Sequence, residues 1–75
     1  MKSANEALGR TISQLRESLG LSQEDLADRA GIHRTYVSQL ERGIKSPTLG
    51  VLIKIAKALD TKPSLLVRAF EDELG

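Results

Sequence analysis

"LSQEDLADRAGIHRTYVSQLERG", residues 21–43, decides the fold. It holds two short amphipathic segments on either side of Gly31. In the first, Ser22 stands where an N-cap belongs and Asp25 three residues on makes a near capping box, with Leu26, Ala27 and Ala30 as the apolar stripe. After "GI" a second helix is expected from about residue 33 to 42, with Val37 and Leu40 inward and Gly43 as its stop. Taken together, residues 23–42 read as two helices meeting at a steep angle across a turn of three or four residues. Such a crossing needs a small residue where the helices meet, free φ in the turn, and leucine or β-branched plugs on the inner side of the second helix. Ala27, Gly31, Val37 and Leu40 occupy those places, and Leu26, Ala30 and Ile32 complete the seam.

The flanks extend the same architecture. Leu8, Ile12, Leu15 and Leu19 recur at helical spacing until Gly20 stops them. Downstream, Ser46, Pro47 and Thr48 form a turn whose Thr48 is a good N-cap for a fourth helix, with Leu49, Leu52, Ile55, Ala56 and Leu59 on one broad face. "DTKP" breaks that helix, Pro63 opens a fifth, and Leu65, Leu66 and Phe70 supply its apolar residues. The expectation is a compact all-α, five-helix fold forming a single domain over residues 1–75, without strand, repeat or low-complexity linker.

Composition narrows what such a domain can do. Seventy-five residues lie near the lower limit for folding without a staple, and with 3% aromatics and no Trp the core must be aliphatic. No cysteine and a single His leave no disulfide and argue against a metal site, and no cofactor is expected. The N-terminal "MKSANEALGR" has no apolar leader segment and no apolar run approaches a bilayer span, so a cytoplasmic protein without membrane partners is expected. A nucleophile motif and a Gly-rich phosphate loop are both missing, which argues against an enzyme. The net charge is only +1, but residues 33–57 carry Arg34, Arg42, Lys45, Lys54 and Lys57 against Glu41 alone, and the last seven residues carry Glu71, Asp72 and Glu73. A basic middle beside an acidic tail gives a small protein one anion-binding face.

The outward side of the third helix is the candidate for that face. Arg34, Thr35, Ser38, Gln39 and Arg42 point away from Val37 and Leu40, and His33 projects at the N-terminal tip. Arg offers two donors to guanine O6 and N7, Gln can pair with adenine, and the Thr methyl packs on thymine. In a DNA-binding helix-turn-helix, two helices crossed in this way place the second in the major groove and the first across the phosphate backbone. Arg34, Thr35, Ser38 and Gln39 are therefore candidate base contacts. Gln23, at the positive end of the second helix, and Arg42 and Lys45, where the chain leaves the groove, are candidate phosphate contacts, with Arg42 a further candidate at a base. Tyr36 divides between packing its ring and offering its hydroxyl to phosphate, and His33 between solvent, phosphate, and a base or pH-sensing role. Lys54 and Lys57 are read as solvation charges. An ordinary amphipathic helix also has a solvated polar face, and it is the surrounding motif that favours DNA here.

"LSQEDLADRAGIHRTYVSQLERG" followed by "SPTLGVLIKIAKALDTKPSLL" resembles the Cro/phage-repressor (XRE-type, lambda-repressor-like) helix-turn-helix regulators over roughly residues 8–67, and "RTYVSQLERG" is similar to the controller proteins of restriction-modification systems. The resemblance implies a sequence-specific DNA-binding transcriptional regulator. Carried over by position, it implies DNA contacts at Gln23, Arg34, Thr35, Ser38 and Gln39, and a structural ion pair between Arg16 and Glu41. Within the controller branch it implies activation at low protein level and repression at high level.

A homodimer on a pseudo-palindromic operator would place two recognition helices about 34–36 Å apart. Val51 and Ala58, at the edge of the fourth helix's stripe, with Leu66 or Phe70, are candidates for its interface or for peripheral core. The partners expected are double-stranded operator DNA, a second copy and RNA polymerase. The alternative is a protein-interaction module, such as an antitoxin or adaptor, using the same helices against a protein, and the acidic tail "EDELG" is either its contact or a solvated end.

Overall fold

The computed structural model describes residues 3–75, so the first two residues of the N-terminal stretch read above lie outside it. Five helices follow in order: α1 (Ala4–Ser18), α2 (Gln23–Ala30), α3 (Arg34–Glu41), α4 (Leu49–Ala58) and α5 (Pro63–Leu74). Among the described residues there is no strand, and no helix is long and apolar enough to cross a membrane.

Local chemistry sets each boundary. Ser3, Ser22, His33 and Thr48 cap the first four helices with a side-chain acceptor. Ser22 and Asp25 form a complete capping box: the Asp25 N–H donates to Ser22 Oγ at 3.0 Å and the Ser22 N–H to Asp25 Oδ2 at 2.9 Å. α5 starts on Pro63 without a side-chain cap, which suits a residue that has no N–H to satisfy.

The first four helices end alike. Leu21, Ile32, Ile44 and Thr61 each donate the backbone N–H to the carbonyl five residues back, on Arg16, Ala27, Gln39 and Ala56. This closure requires the preceding residue to be left-handed. Gly31 fills that place in the turn before α3 with φ 67°, and at the end of α4 the same duty falls on Asp60 with φ 56°.

The main helix–helix contacts close in the order α1, α3, α2, α4, α5 and back to α1. Ile12, Leu26, Val37, Leu40, Ile55 and Leu66 are the largest fully buried side chains at the centre. Buried Thr11 is satisfied within α1, its hydroxyl donating to the Ala7 carbonyl at 2.9 Å. Where α1 meets the end of α3 there is no room for a side chain: a Cβ on Gly9 would run into the backbone carbonyls of Leu40 and Glu41.

Several expectations need correction. Leu19 is the C-cap of α1 and exposed, since the inward stripe ends a turn earlier. Leu49 is 73% exposed because it opens α4 ahead of the segment that reaches the core. Leu65 is exposed beside buried Leu66, because the inward line of α5 runs through Leu66, Ala69, Phe70 and Glu73. Leu66 is fully buried and Ala58 only 7% exposed, so both belong to this chain's own core and drop out of the dimer surface assigned to them. Val51 and Phe70 are half-buried, Val51 against the core. The large apolar side chains that α4 and α5 do expose are Leu49, Ile53, Leu65, Val67 and Leu74.

Candidate nucleic-acid interface

α2 and α3 pack on each other through the seam the sequence implies. Ala27 is buried where a larger side chain would separate the helices, Leu26, Ala30, Val37 and Leu40 fill the seam, and Ile32 packs against it from the turn. With that side sealed, the other side of α3 is left to solvent. Arg34 and Thr35 are exposed and Ser38 half-buried, and together with Gln23 from the start of α2 they line one open concavity. Four of the nominated residues thus meet on one surface.

The others are placed differently. Gln39 is half-buried on α3 outside that concavity. Tyr36 is half-buried with its ring against the core. Arg42 is the C-cap of α3 and lines a second concavity, between α3 and α1, with Glu6, Arg10, Ser13 and Glu41. Lys45 is exposed in the connection from α3 to α4. His33 does more than project: its Nδ1 accepts the Thr35 N–H at 3.2 Å and caps α3.

A buried polar network holds these elements in register. Arg16 donates through Nε to Glu41 Oε2 at 2.7 Å and through Nη2 to Oε1 at 3.0 Å, while Nη1 donates to the Leu21 carbonyl at 2.7 Å. Gln23 adds a third donor to the same carboxylate, Nε2 to Glu41 Oε1 at 3.0 Å. The hydrogen bond with Glu41 raises the Arg16 pKa above its ordinary value against the opposing effect of burial, so the guanidinium stays charged. The ion pair implied by the resemblance is therefore present, and it also orients Gln23, whose second amide hydrogen remains for an external acceptor. Nothing near Gln23 in sequence signals that link, because Glu41 lies eighteen residues away.

The start of α2 is less electropositive than a bare helix end. Glu24 and Asp25 both sit in its first turn. Asp25 has its pKa lowered by the backbone N–H of Ser22 and then by the Ser22 hydroxyl, so it stays charged there. An anion arriving at this end would meet the Gln23 side chain and the remaining N–H groups beside two acids.

The comparisons with known proteins agree with this geometry. A helix-turn-helix family model (HTH_3) matches residues 12–66. The control protein C.SmaI of Serratia marcescens is 45% identical over 64 residues, covering 84% of this chain and 76% of that protein. The crystal structure of the restriction-modification controller protein C.AhdI from Aeromonas hydrophila superposes with a TM-score of 0.80 at 41% identity, over 81% of this chain and 92% of that one. The controller protein C.Esp1396I, solved as a tetramer in complex with its natural 35 base-pair operator, superposes with a TM-score of 0.89 at 27% identity, over 99% of this chain and 97% of that one. Against longer relatives described as HTH-type transcriptional regulators, the chain spans 44% of their length. The chain belongs to the helix-turn-helix family and, within it, is similar to the control proteins of restriction-modification systems.

Proposed function

We propose that this protein is a sequence-specific transcriptional regulator that binds a pseudo-palindromic operator as a homodimer, with α3 in the major groove and α2 across the backbone. The reading rests chiefly on one observation: Gln23, Arg34, Thr35 and Ser38 line a single open surface on two helices locked together from behind. Arg34, Thr35 and Ser38 read base edges there, and Gln39 reads from the flank of α3. Gln23, held by Glu41, and His33 take phosphates on one side. Arg42 and Lys45 take phosphates on the other, and Tyr36 contributes its hydroxyl from a packed ring.

One small domain offers too few contacts for useful specificity, which favours the dimer. The exposed Leu49 and Ile53, one turn apart on α4, and Leu65 on α5 are better suited to a second copy than the buried pair Ala58 and Leu66. Regulation follows from protein concentration through coupled dimerisation and operator binding, in the cytoplasm, with polymerase occluded or recruited at the site.

The test is selection from a randomised DNA pool at two salt concentrations, followed by sequencing. Recovery of an inverted repeat with half-site centres about one helical turn apart supports the proposal, with binding that weakens steeply with salt. No enrichment at either salt overturns it and favours a protein-interaction module.

A further inference from the structure

His33 is the point at which the recognition helix departs from the rest of the fold. The other side-chain caps are hydroxyls, on Ser3, Ser22 and Thr48, as helix starts usually require. Only α3 is capped by an imidazole. The backbone at His33 is extended, φ −76° and ψ 142°, and the ring turns back so that Nδ1 accepts the N–H of Thr35. A serine would satisfy that N–H equally well. What the imidazole adds is its far edge.

A ring nitrogen that accepts a hydrogen bond carries no hydrogen, so the ring hydrogen of His33 is on Nε2. His33 is exposed, the only hydrogen bond its side chain makes among the described residues is the cap, and Arg34 and Thr35, which follow it, are exposed as well.

We infer that His33 is a donor-only DNA contact: the cap fixes the ring and its tautomer, and Nε2–H is offered as a neutral donor to an acceptor atom on DNA. This deepens the operator-binding proposal and rests on it. The acceptor is a phosphate oxygen or a base acceptor such as guanine O6 or N7, and an exocyclic amino group is excluded because no lone pair faces outward. Because the ring is uncharged, the contact releases no counterion. Its loss should weaken binding without changing the salt slope, whereas loss of a protonated histidine at a phosphate would flatten the slope by about 0.9.

The experiment has three readouts. Long-range 1H–15N correlation of the free protein above pH 7.5 should show the Nε2–H tautomer; an Nδ1–H tautomer, or fast exchange between the two, overturns the inference without any reference to DNA. His33→Ser keeps a capping oxygen, so its melting temperature should stay near that of the wild type while His33→Ala melts lower. If His33→Ser is itself unstable, His33→Thr preserves the cap and serves instead. On the selected operator, the capped variant should bind about ten-fold more weakly per half-site at an unchanged salt slope. Uniform loss over all half-site sequences assigns the acceptor to phosphate, and loss confined to one position assigns it to a base. Wild-type affinity in the capped variant, or a slope flattened by about 0.9 per half-site, overturns the neutral contact while leaving the operator-binding proposal in place. Absence of any selected operator for the wild type is the separate failure of that proposal.

Discussion

Arg16 and Glu41, twenty-five residues apart in the chain, form a two-bond ion pair whose side chains are 12% and 6% exposed. Compared with a well-packed apolar pair, a buried ion pair adds little net stability, since desolvation offsets the attraction. Its value here is geometric. One carboxylate at the end of α3 takes hydrogen bonds from α1 and from the first residue of α2, which fixes the outward face of α3 relative to Gln23.

Removing one partner should therefore cost far more than removing both. Glu41→Ala leaves the Arg16 guanidinium buried with the Leu21 carbonyl and the exposed Glu17 carboxylate 4.0 Å away, and frees Gln23, at an expected cost of about 3–5 kcal/mol. In a domain of this size that approaches the whole stability. The double variant Arg16→Met with Glu41→Leu should recover most of the loss while still binding operator more weakly, because Gln23 has no anchor. Urea unfolding measures the first effect and operator titration the second; equal instability in single and double variants would contradict the geometric role.

Gly9 and Gly31 should fail for opposite reasons. Gly9→Ala gains helix propensity of about 1 kcal/mol but drives a methyl into the carbonyls of Leu40 and Glu41, so a net loss of about 1–3 kcal/mol is expected. Gly31→Ala meets open space but holds φ 67°, and should lose about 1 kcal/mol from backbone strain alone. Gly31→Asn should lose less than Gly31→Ala, since Asn tolerates the left-handed region. Asn has no such exemption at Gly9. The ranking in thermal unfolding checks both assignments.

This contrast also marks what the sequence could convey. Ser22 with Asp25, Gly31, Val37 with Leu40, and Pro63 are legible because caps, turns and stripes act between residues close in the chain. Gly9 carries no such signal: within "EALGRTI" it looks like a weak spot in a helix, and only the approach of α3 explains it. Leu49 lies on the apolar face of α4 and Leu65 among the apolar residues of α5, yet both are exposed, because periodicity gives a direction around a helix and not where packing begins along it. Leu66 erred the other way, offered as a surface although its neighbours close over it. In the site, side-chain chemistry nominated the outward face of α3, while the cap made by His33 and the tether on Gln23 needed three dimensions.

Asp60 occupies a position where a Cβ is a burden. It is left-handed at φ 56°, and its negative charge lies at the negative end of the α4 dipole. Asp60→Gly should stabilise the fold by about 0.5–1 kcal/mol, less than the full strain because glycine also loosens the unfolded chain. For a domain of this size the melting temperature should rise by roughly 2–8 °C. A fall would show that the Asp60 carboxylate contributes a contact outweighing both penalties.

The capping box of α2 should leave an acid signature. Asp25 has a lowered pKa in the folded state, first through the Ser22 N–H and then through the Ser22 hydroxyl. A depressed carboxylate stabilises the fold above its unfolded pKa of about 3.9, and that contribution is lost as pH falls through the lower folded value. Asp25→Ala should therefore unfold at lower urea than the wild type at pH 7, with the gap narrowing as pH is taken below about 4. A gap unchanged at pH 3 would trace the effect to the backbone or side-chain packing of α2 rather than to the carboxylate.

Arg34 and Arg42 are both exposed cations near α3, yet they should behave differently on the operator. Arg34 shares a concavity with Gln23, Thr35 and Ser38, whereas Arg42 lies across α3 beside Arg10 and Glu6. If Arg34 reads a base, Arg34→Ala costs about 1–3 kcal/mol and relaxes the preference at one position of each half-site. If Arg42 neutralises a phosphate, Arg42→Ala weakens every sequence alike and reduces the salt slope by about one per half-site. Titrating both variants against the selected operator and its single-position mismatches at two salt concentrations separates the roles. Uniform weakening by Arg34→Ala would move that side chain to the backbone and leave Thr35, Ser38 and Gln39 to carry the sequence preference.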